Sequence, residues 1–174
     1  MKLLVALDRS SFAEEVLPPI AAIVAAGNAE VILATVVKAT DVHETRTGPP
    51  ATPSYVLSMT DFTGRLLPNA VAVVAVDDPV ETRAQAEQRV KIESKEYLEG
   101  IARRWFPQGA EAAVLRGDDV AEELAGYARE HNVDVIAMAT HGRTGLVKVL
   151  MGSVASALLR SRVAPVLLVR PNTL

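Results

Sequence analysis

Residues 134–169 of the chain read DVIAMATHGRTGLVKVLMGSVASALLRSRVAPVLLV. Three segments follow one another here: an apolar strand from Asp134 to Ala139, a helix from Gly152 to Arg160 and an apolar strand from Pro165 to Val169. Such uniformly apolar strands are typical of a parallel sheet that is covered on both faces. The strand–helix–strand order predicts a right-handed crossover between two parallel strands.

The same alternation extends towards the N-terminus. Further apolar runs predict buried strands at Leu3 to Leu7, Glu30 to Val37 and Ala110 to Leu115. Helices are predicted from Ser11 to Gly27, from Asp78 to a stop at Pro107, and from Asp118 to His131. Together these elements predict an α/β fold, an open five-stranded parallel sheet with helices on both faces.

Two helix starts have specific sequence signals. Ser11 and Glu14 fit a capping box, and Pro18 within the same helix is expected to bend it. Asp78 is the predicted cap of the long helix, with Pro79 at its first position.

The segment from Lys38 to Asp78 breaks the pattern. It is rich in Thr, Pro, Gly and Ser, and it predicts an irregular insertion within a single domain that spans residues 1–174. Its apolar stretch from Val71 to Val76 is compatible with an extra strand or with a flap.

Composition excludes several classes of function. The net charge of −3 provides no broad basic surface, so we expect no nucleic-acid partner. The absence of cysteine excludes disulfides, a thiolate nucleophile and cysteine-ligated metals. The sequence contains neither an apolar run of membrane-spanning length nor an export signal, so we expect no membrane association and a cytoplasmic location.

The segment from Gly142 to Ser153 combines a glycine-bearing loop with the start of a helix. Backbone N–H groups at a helix start attract anions, and Arg143 and Lys148 add positive charge. An ordinary strand–loop–helix turn capped by Ser153 would look the same. The chain lacks the G-x-x-x-x-G-K-[ST], G-x-G-x-x-G and G-x-S-x-G motifs, which argues against a P-loop NTPase, a dinucleotide-binding domain and an α/β-hydrolase.

The spacing Ala139-x2-Gly142-x9-Gly152-Ser153 resembles the G-x2-G-x9-G-[ST] motif of ATP-binding universal stress proteins, with Ala139 in place of the first glycine. Residues 5–10 (VALDRS), 117–118 (GD) and 164–169 (APVLLV) are also similar to that family. The resemblance covers residues 1–37 and about 78–171. It implies the adenine nucleotide alpha hydrolase-like strand order 3-2-1-4-5.

The resemblance also implies a site at the point where the winding of the sheet reverses, with ATP, alone or with Mg²⁺, as the ligand. Asp8 and Val36 would line the base and ribose region, although Asp8 could instead cap the first helix. Met138 and Ala139 would lie against the adenosine. The remaining residues would be Ala6 beside Asp8, and, around the phosphates, Gly142, Arg143, Gly152, Ser153 and Val154.

By resemblance, the function would be that of a nucleotide-responsive regulatory homodimer in stress adaptation, paired through the edge strand Val166–Val169. The alternative is a partner-binding dimer of the same fold that binds no ATP or prefers AMP or cyclic AMP, which Ala139 favours. A slow ATPase ranks third, since the sequence has no evident general base. The insertion at 38–78 is expected to act as a lid. The sequence does not identify a regulatory protein partner.

Overall fold

The computed structural model of the chain describes residues 1–27, 29–43, 57–60, 66–72, 81–140 and 151–170. The chain divides into two compact units. The first unit comprises Met1–Val42 together with Glu87–Leu174, and the second comprises His43–Ala86. The lid prediction concerns a segment that lies mostly outside the described residues, and it stays a prediction.

Each unit has its own sheet. The strands of the first unit are β1 (Lys2–Ala6), β2 (Glu30–Val37), β5 (Glu111–Arg116), β6 (Val135–Ala139) and β7 (Val166–Val169). The second unit contains the antiparallel pair β3 (Leu57–Thr60) and β4 (Leu66–Ala72). The helices are α1 (Ser11–Glu14), α2 (Leu17–Ala26), α3 (Arg83–Trp105), α4 (Val120–Glu130) and α5 (Ser153–Ser161).

The first unit contains a five-stranded sheet in the order β5-β2-β1-β6-β7, with every neighbouring pair parallel. Numbered along this unit, that order is 3-2-1-4-5, so the predicted fold is confirmed. β1 lies at the centre, where Leu4 pairs with Ile32 of β2 on one side and with Ile136 of β6 on the other.

Helices cover both faces of this sheet. Successive β1 side chains point to opposite sides, so each face presents apolar side chains that a helix layer buries. Leu3 and Val5 belong to a buried cluster with residues of α2 and α3, including Ile20 and Leu98. Leu4 belongs to a second cluster, with residues of α4 and α5. This burial on two sides explains why the strands are apolar throughout. No described helix is long and apolar enough to cross a bilayer.

The segment after β1 forms two helices, where the sequence predicted one bent helix. Ser10 caps α1, since its hydroxyl oxygen accepts the N–H of Ala13 at 3.2 Å. The predicted cap at Ser11 is therefore wrong by one residue. Pro18 lies in the first turn of α2, where a missing N–H costs no helical hydrogen bond. The prolines thus start the second helix.

Two other helices start later than predicted. Thr82 and Gln85 form a reciprocal capping box: the N–H of Gln85 donates to Thr82 Oγ1 at 3.3 Å, and the N–H of Thr82 donates to Gln85 Oε1 at 2.9 Å. The long helix therefore begins at Arg83, and Asp78 lies outside the described residues. Helix α4 is capped by Asp119, whose Oδ1 accepts two backbone N–H groups.

Of the two alternatives for residues 71–76, a strand or a flap, the structure shows a strand over the first two residues. β4 ends at Ala72, so it overlaps the predicted stretch of residues 71–76 only at its start. Residues 73–76 lie outside the described part of the chain. The register of β3 with β4 shifts between Ser58 and Thr60.

Side-chain contacts connect α1 to α3. The hydroxyl of Tyr97 donates to Glu14 Oε1 at 3.0 Å, and Arg9 reaches the buried Ser94 hydroxyl at 3.5 Å. Burial, followed by the hydrogen bond to Glu14 and the charge on that carboxylate, raises the pKa of Tyr97 well above its ordinary value of 10.0. The folded state therefore favours the protonated phenol.

Substitution of two glycines by alanine should have opposite effects on stability. Gly126 lies inside α4, and an added Cβ would meet nothing within 4 Å, so Gly126→Ala should raise the free energy of unfolding by about 0.5–1 kcal/mol. Gly109 has φ +102, so Gly109→Ala should lower it by about 1 kcal/mol. Urea unfolding of both variants beside the parent measures these changes. A Gly109→Ala variant as stable as the parent would contradict this backbone assignment.

Tyr97 should also make stability depend on pH. Its folded pKa is raised, so its contribution is fully present below the ordinary value of 10.0 and is lost as the pH rises further. Between pH 8 and pH 11, Tyr97→Phe should therefore lose less stability than the parent chain. Urea unfolding midpoints of the two proteins across this range provide the comparison. The contributions of all other titrating groups are the same in both proteins and cancel. Parallel curves for the two proteins would show that Tyr97 is not the cause.

Candidate functional site

A cavity of about 470 Å³ lies at the carboxyl ends of β1, β2 and β6. Its volume is in the usual range of small-molecule sites. β1 and β6 are neighbours there, and the chain winds outward from them in opposite directions, which is where open α/β sheets bind ligands. The lining residues are Ala6, Leu7, Asp8, Ala13, Ala34, Val36, Lys38, Thr40, Asp41, Val120, Leu124, Met138, Ala139, Thr140, Gly152, Ser153, Val154 and Ala155.

One end of the cavity is formed by the start of α5. Gly152 is the N-cap of this helix, with no side-chain cap from the described residues, and Ser153 is its first residue. The alternative in which Ser153 caps the helix is therefore wrong. Within the described residues no side chain caps the N–H groups of the first turn, and the helix dipole adds a positive partial charge that favours an anion.

Gly152 lies in a closely packed position. Its N–H donates to the carbonyl of Thr140 at 3.0 Å. A Cβ on Gly152 would lie 3.2 Å from that same carbonyl oxygen. Its φ of −68 is open to any residue, so the constraint is steric and not conformational. This contact holds the start of α5 against the end of β6.

Asp8 lies between the two ends of the cavity, just after β1. Its Oδ1 accepts the N–H of Ser10 at 3.0 Å and the hydroxyl of Ser10 at 2.5 Å. Ser10 in turn caps α1, so Asp8 supports the helix start indirectly while lining the cavity. The alternative in which Asp8 caps the first helix is therefore wrong, and its role towards a ribose stays a prediction.

The other end of the cavity is formed by a 3₁₀ turn, Ala39–Asp41, that follows β2. Asp41 Oδ2 accepts the N–H of Lys38 at 3.0 Å. The N–H of Ala39 donates to Asp118 Oδ1 at 3.4 Å, which attaches the turn to the connection before α4. Lys38, Thr40 and Asp41 were not among the predicted site residues.

Ala139 occupies the position of the first motif glycine. It is the last residue of β6 and pairs with Val169 in a regular parallel register. Among the described residues, those with positive φ and a side chain are Arg9, Asn132 and Arg162, so Ala139 is not in the left-handed region. Its side chain is 5% exposed and lines the cavity.

The structure places most of the predicted site residues around this one cavity. These are Ala6, Asp8, Val36, Met138, Ala139, Gly152, Ser153 and Val154. Gly142 and Arg143 lie outside the described residues, and so does Lys148. Of the residues that the prediction missed, Thr140 could have been found, since it is inside the quoted motif segment. Across the described parts of the chain, no group of three His, Cys, Asp or Glu side chains is arranged to hold a metal ion.

A second cavity, of about 510 Å³, lies at the amino ends of the strands. It is lined by residues that follow α4 and α5, among them Asn132 and Arg162. Helix C-termini present carbonyl oxygens and a negative partial charge, so Arg162 here complements the helix end. The first cavity is therefore the better candidate for an anionic ligand.

Known proteins share sequence features with the chain. A sequence profile of the Universal stress protein family matches residues 1–170. The universal stress protein MJ0531 of Methanocaldococcus jannaschii is 40% identical over 50 residues, which is 29% of this chain and 29% of that protein. The aligned segment thus spans under a third of that relative's length.

Solved structures share the fold. Hypothetical protein MJ0577 has a TM-score of 0.68 at 22% identity, covering 99% of this chain and 97% of that one. UspA from Lactobacillus plantarum gives 0.63 at 15% identity, with coverages of 99% and 97%. A universal stress protein in complex with cAMP gives 0.58 at 17% identity, with coverages of 99% and 98%. With the family profile matching almost the whole length, this chain belongs to the universal stress protein family.

Proposed function

We propose that the cavity binds an adenine nucleotide, with ATP as the leading candidate, and that the chain acts as a nucleotide-responsive regulatory homodimer. The observation that carries the proposal is the start of α5: it lines the same cavity as Asp8, and no side chain in the described part of the chain caps it. An anion and a ribose thus have complementary partners within one site.

The phosphates would lie at the start of α5. The backbone N–H groups of Ser153 and Val154 and the hydroxyl of Ser153 supply donors, and the helix dipole favours the negative charge. By resemblance, Gly142 and Arg143 would complete this part of the site. A metal ion, if one accompanies the phosphates, would be held chiefly by the phosphates themselves.

The nucleoside would occupy the rest of the cavity. Asp8 accepts hydrogen bonds, so it suits the two hydroxyls of a ribose. Val36, Met138 and Ala139 provide apolar surface for the faces of the base, and Ala6 lies at the end of β1 between them.

Cyclic AMP or AMP is the second candidate ligand. A structural neighbour has been solved in complex with cAMP, and the methyl group of Ala139 takes up space in the cavity that a glycine would leave open. Cyclic AMP offers Asp8 only one ribose hydroxyl, whereas ATP and AMP offer two. Relative affinities for the three nucleotides therefore separate the candidates.

Gly152→Val should weaken nucleotide binding. Even the Cβ of the new side chain would lie 3.2 Å from the Thr140 carbonyl oxygen, so the branched group should displace the start of α5. We expect at least about a tenfold loss of ATP affinity, or ~1.4 kcal/mol. Calorimetric titration measures it, and Gly126→Ala is the control because Gly126 lies in α4 away from the cavity.

Misfolding of the valine variant would be detected by circular dichroism. In that event Ser153→Ala tests the same end of the site with a smaller change, and it should also weaken ATP binding. Mass spectrometry of gently purified parent protein should detect an adenine nucleotide. Absence of any nucleotide, together with no thermal shift on adding ATP, AMP or cyclic AMP, would exclude the proposal.

Leu168→Pro should convert the homodimer into a monomer. The carbonyls of Pro165 and Val169 accept N–H groups from the β6 side at 2.9 Å, so by alternation Leu168 directs its N–H towards the open edge of the sheet. Proline removes that donor while sparing the pairing with β6. Sedimentation analysis gives the mass, with Leu168→Ala as the control that keeps the N–H. A proline variant that stays dimeric would place the interface elsewhere.

A further inference from the structure

We propose that Asp41 determines base specificity by accepting a hydrogen bond from the 6-amino group of adenine, with Lys38 donating to the neighbouring ring nitrogen. This inference rests on the proposed nucleotide site and assigns a chemical role to the turn at its far end. It predicts that the site selects 6-aminopurines over 6-oxopurines.

The position of the turn fits the length of a nucleotide. The start of α5 follows β6, whereas Lys38 and Asp41 follow β2, and β1 lies between these two strands. Neighbouring strands lie about 4.8 Å apart, so the two ends of the cavity are separated by roughly 10 Å. A ligand with its phosphates at α5 and its ribose at Asp8 therefore directs its base towards the turn.

The charges of the two ends support the same orientation. The helix start attracts anions, whereas the turn sets the carboxylate of Asp41 against the ammonium of Lys38 and so offers no net positive charge. A nucleotide bound in reverse would place its phosphates beside Asp41. The turn therefore favours a neutral group with hydrogen-bond donors, such as a base that carries an amino group.

Adenine has the matching pattern of donors and acceptors. Its 6-amino group donates beside ring nitrogen N7, which accepts. Asp41 can only accept and Lys38 can only donate, so the pair complements this edge. Guanine and hypoxanthine present a 6-oxo acceptor at the same place, and the oxygen would face the carboxylate.

The turn is held in place by its own hydrogen bonds. Asp41 accepts the N–H of Lys38 at 3.0 Å, and Ala39 donates to Asp118 at 3.4 Å. Asp41 is only partly exposed, so a contact with a base in the cavity is shielded in part from water. The bond from Lys38 orients the Asp41 carboxylate, and the bond to Asp118 holds the turn. An oriented carboxylate is what selection between two bases requires.

Asp41→Asn separates base selection from support of the turn. Asparagine keeps a side-chain oxygen that can accept the N–H of Lys38, and it replaces the other acceptor by a donor. Asp134→Asn is the matched control: that carboxylate also accepts a backbone N–H, from Lys2 at 2.7 Å, but it precedes β6 at the opposite end of the sheet.

The test is calorimetric titration of the full chain and both variants with ATP and with inosine triphosphate. The parent should prefer ATP by about tenfold or more, Asp41→Asn should reduce this ratio about tenfold, and Asp134→Asn should leave it unchanged. Equal losses for both nucleotides in Asp41→Asn would reduce Asp41 to a support of the turn and overturn the inference. So would a parent chain that binds both nucleotides equally. Failure of the parent to bind any nucleotide would instead refute the proposed function itself.

Discussion

The pairing of β1 with β6 is the constraint on which the rest of the structure depends. Three residue pairs, from Leu3 with Val135 to Val5 with Ala137, bring together strands that are far apart in the sequence. Because β2 and β7 then lie on opposite sides of this pair, the connections diverge and leave a crevice at the carboxyl ends. Asp8 and the start of α5 share that crevice only because this pairing exists. Polar side chains at two successive β1 positions would disturb both cores, since Leu3 and Leu4 belong to different clusters.

Hydrogen bonds to backbone groups then prepare the crevice. Ser10 engages Asp8 and caps α1, Thr140 receives the N–H of Gly152, and Asp41 receives the N–H of Lys38. Each bond fixes a segment that directly follows a strand or opens a helix. Positioning of this kind lowers the entropic cost of ordering the site when a ligand binds. The cavity is therefore shaped by the same local bonds that follow the strands and open the helices.

The fold could be predicted because its strands are uniformly apolar and its helices alternate with them. Part of the cavity lining could also be predicted, because the family resemblance assigns positions at the ends of β1, β2 and β6 and at the start of α5. The errors have physical reasons. Ser10 and Ser11 both have side chains that can cap a helix. Ser10 is the cap because the Asp8 carboxylate accepts its hydroxyl and holds it in place. Asp78 with Pro79 looks like a helix start, but Thr82 with Gln85 forms the reciprocal bonds. The turn at Lys38–Asp41 was missed because its attachment to Asp118 joins segments with no sequence pattern in common.

Ala139 shows which property of the first motif glycine this chain can dispense with. A glycine can be required for a positive φ or for the absence of a side chain. Ala139 is extended and paired with Val169, so the conformational requirement does not apply at this position. What remains is the volume of one methyl group at the end of β6. That methyl does not alter the contact of Gly152 with Thr140, which sets the start of α5. Ala139 is therefore compatible with the close contact at the start of α5, and its methyl group adds to the cavity lining at the end of β6.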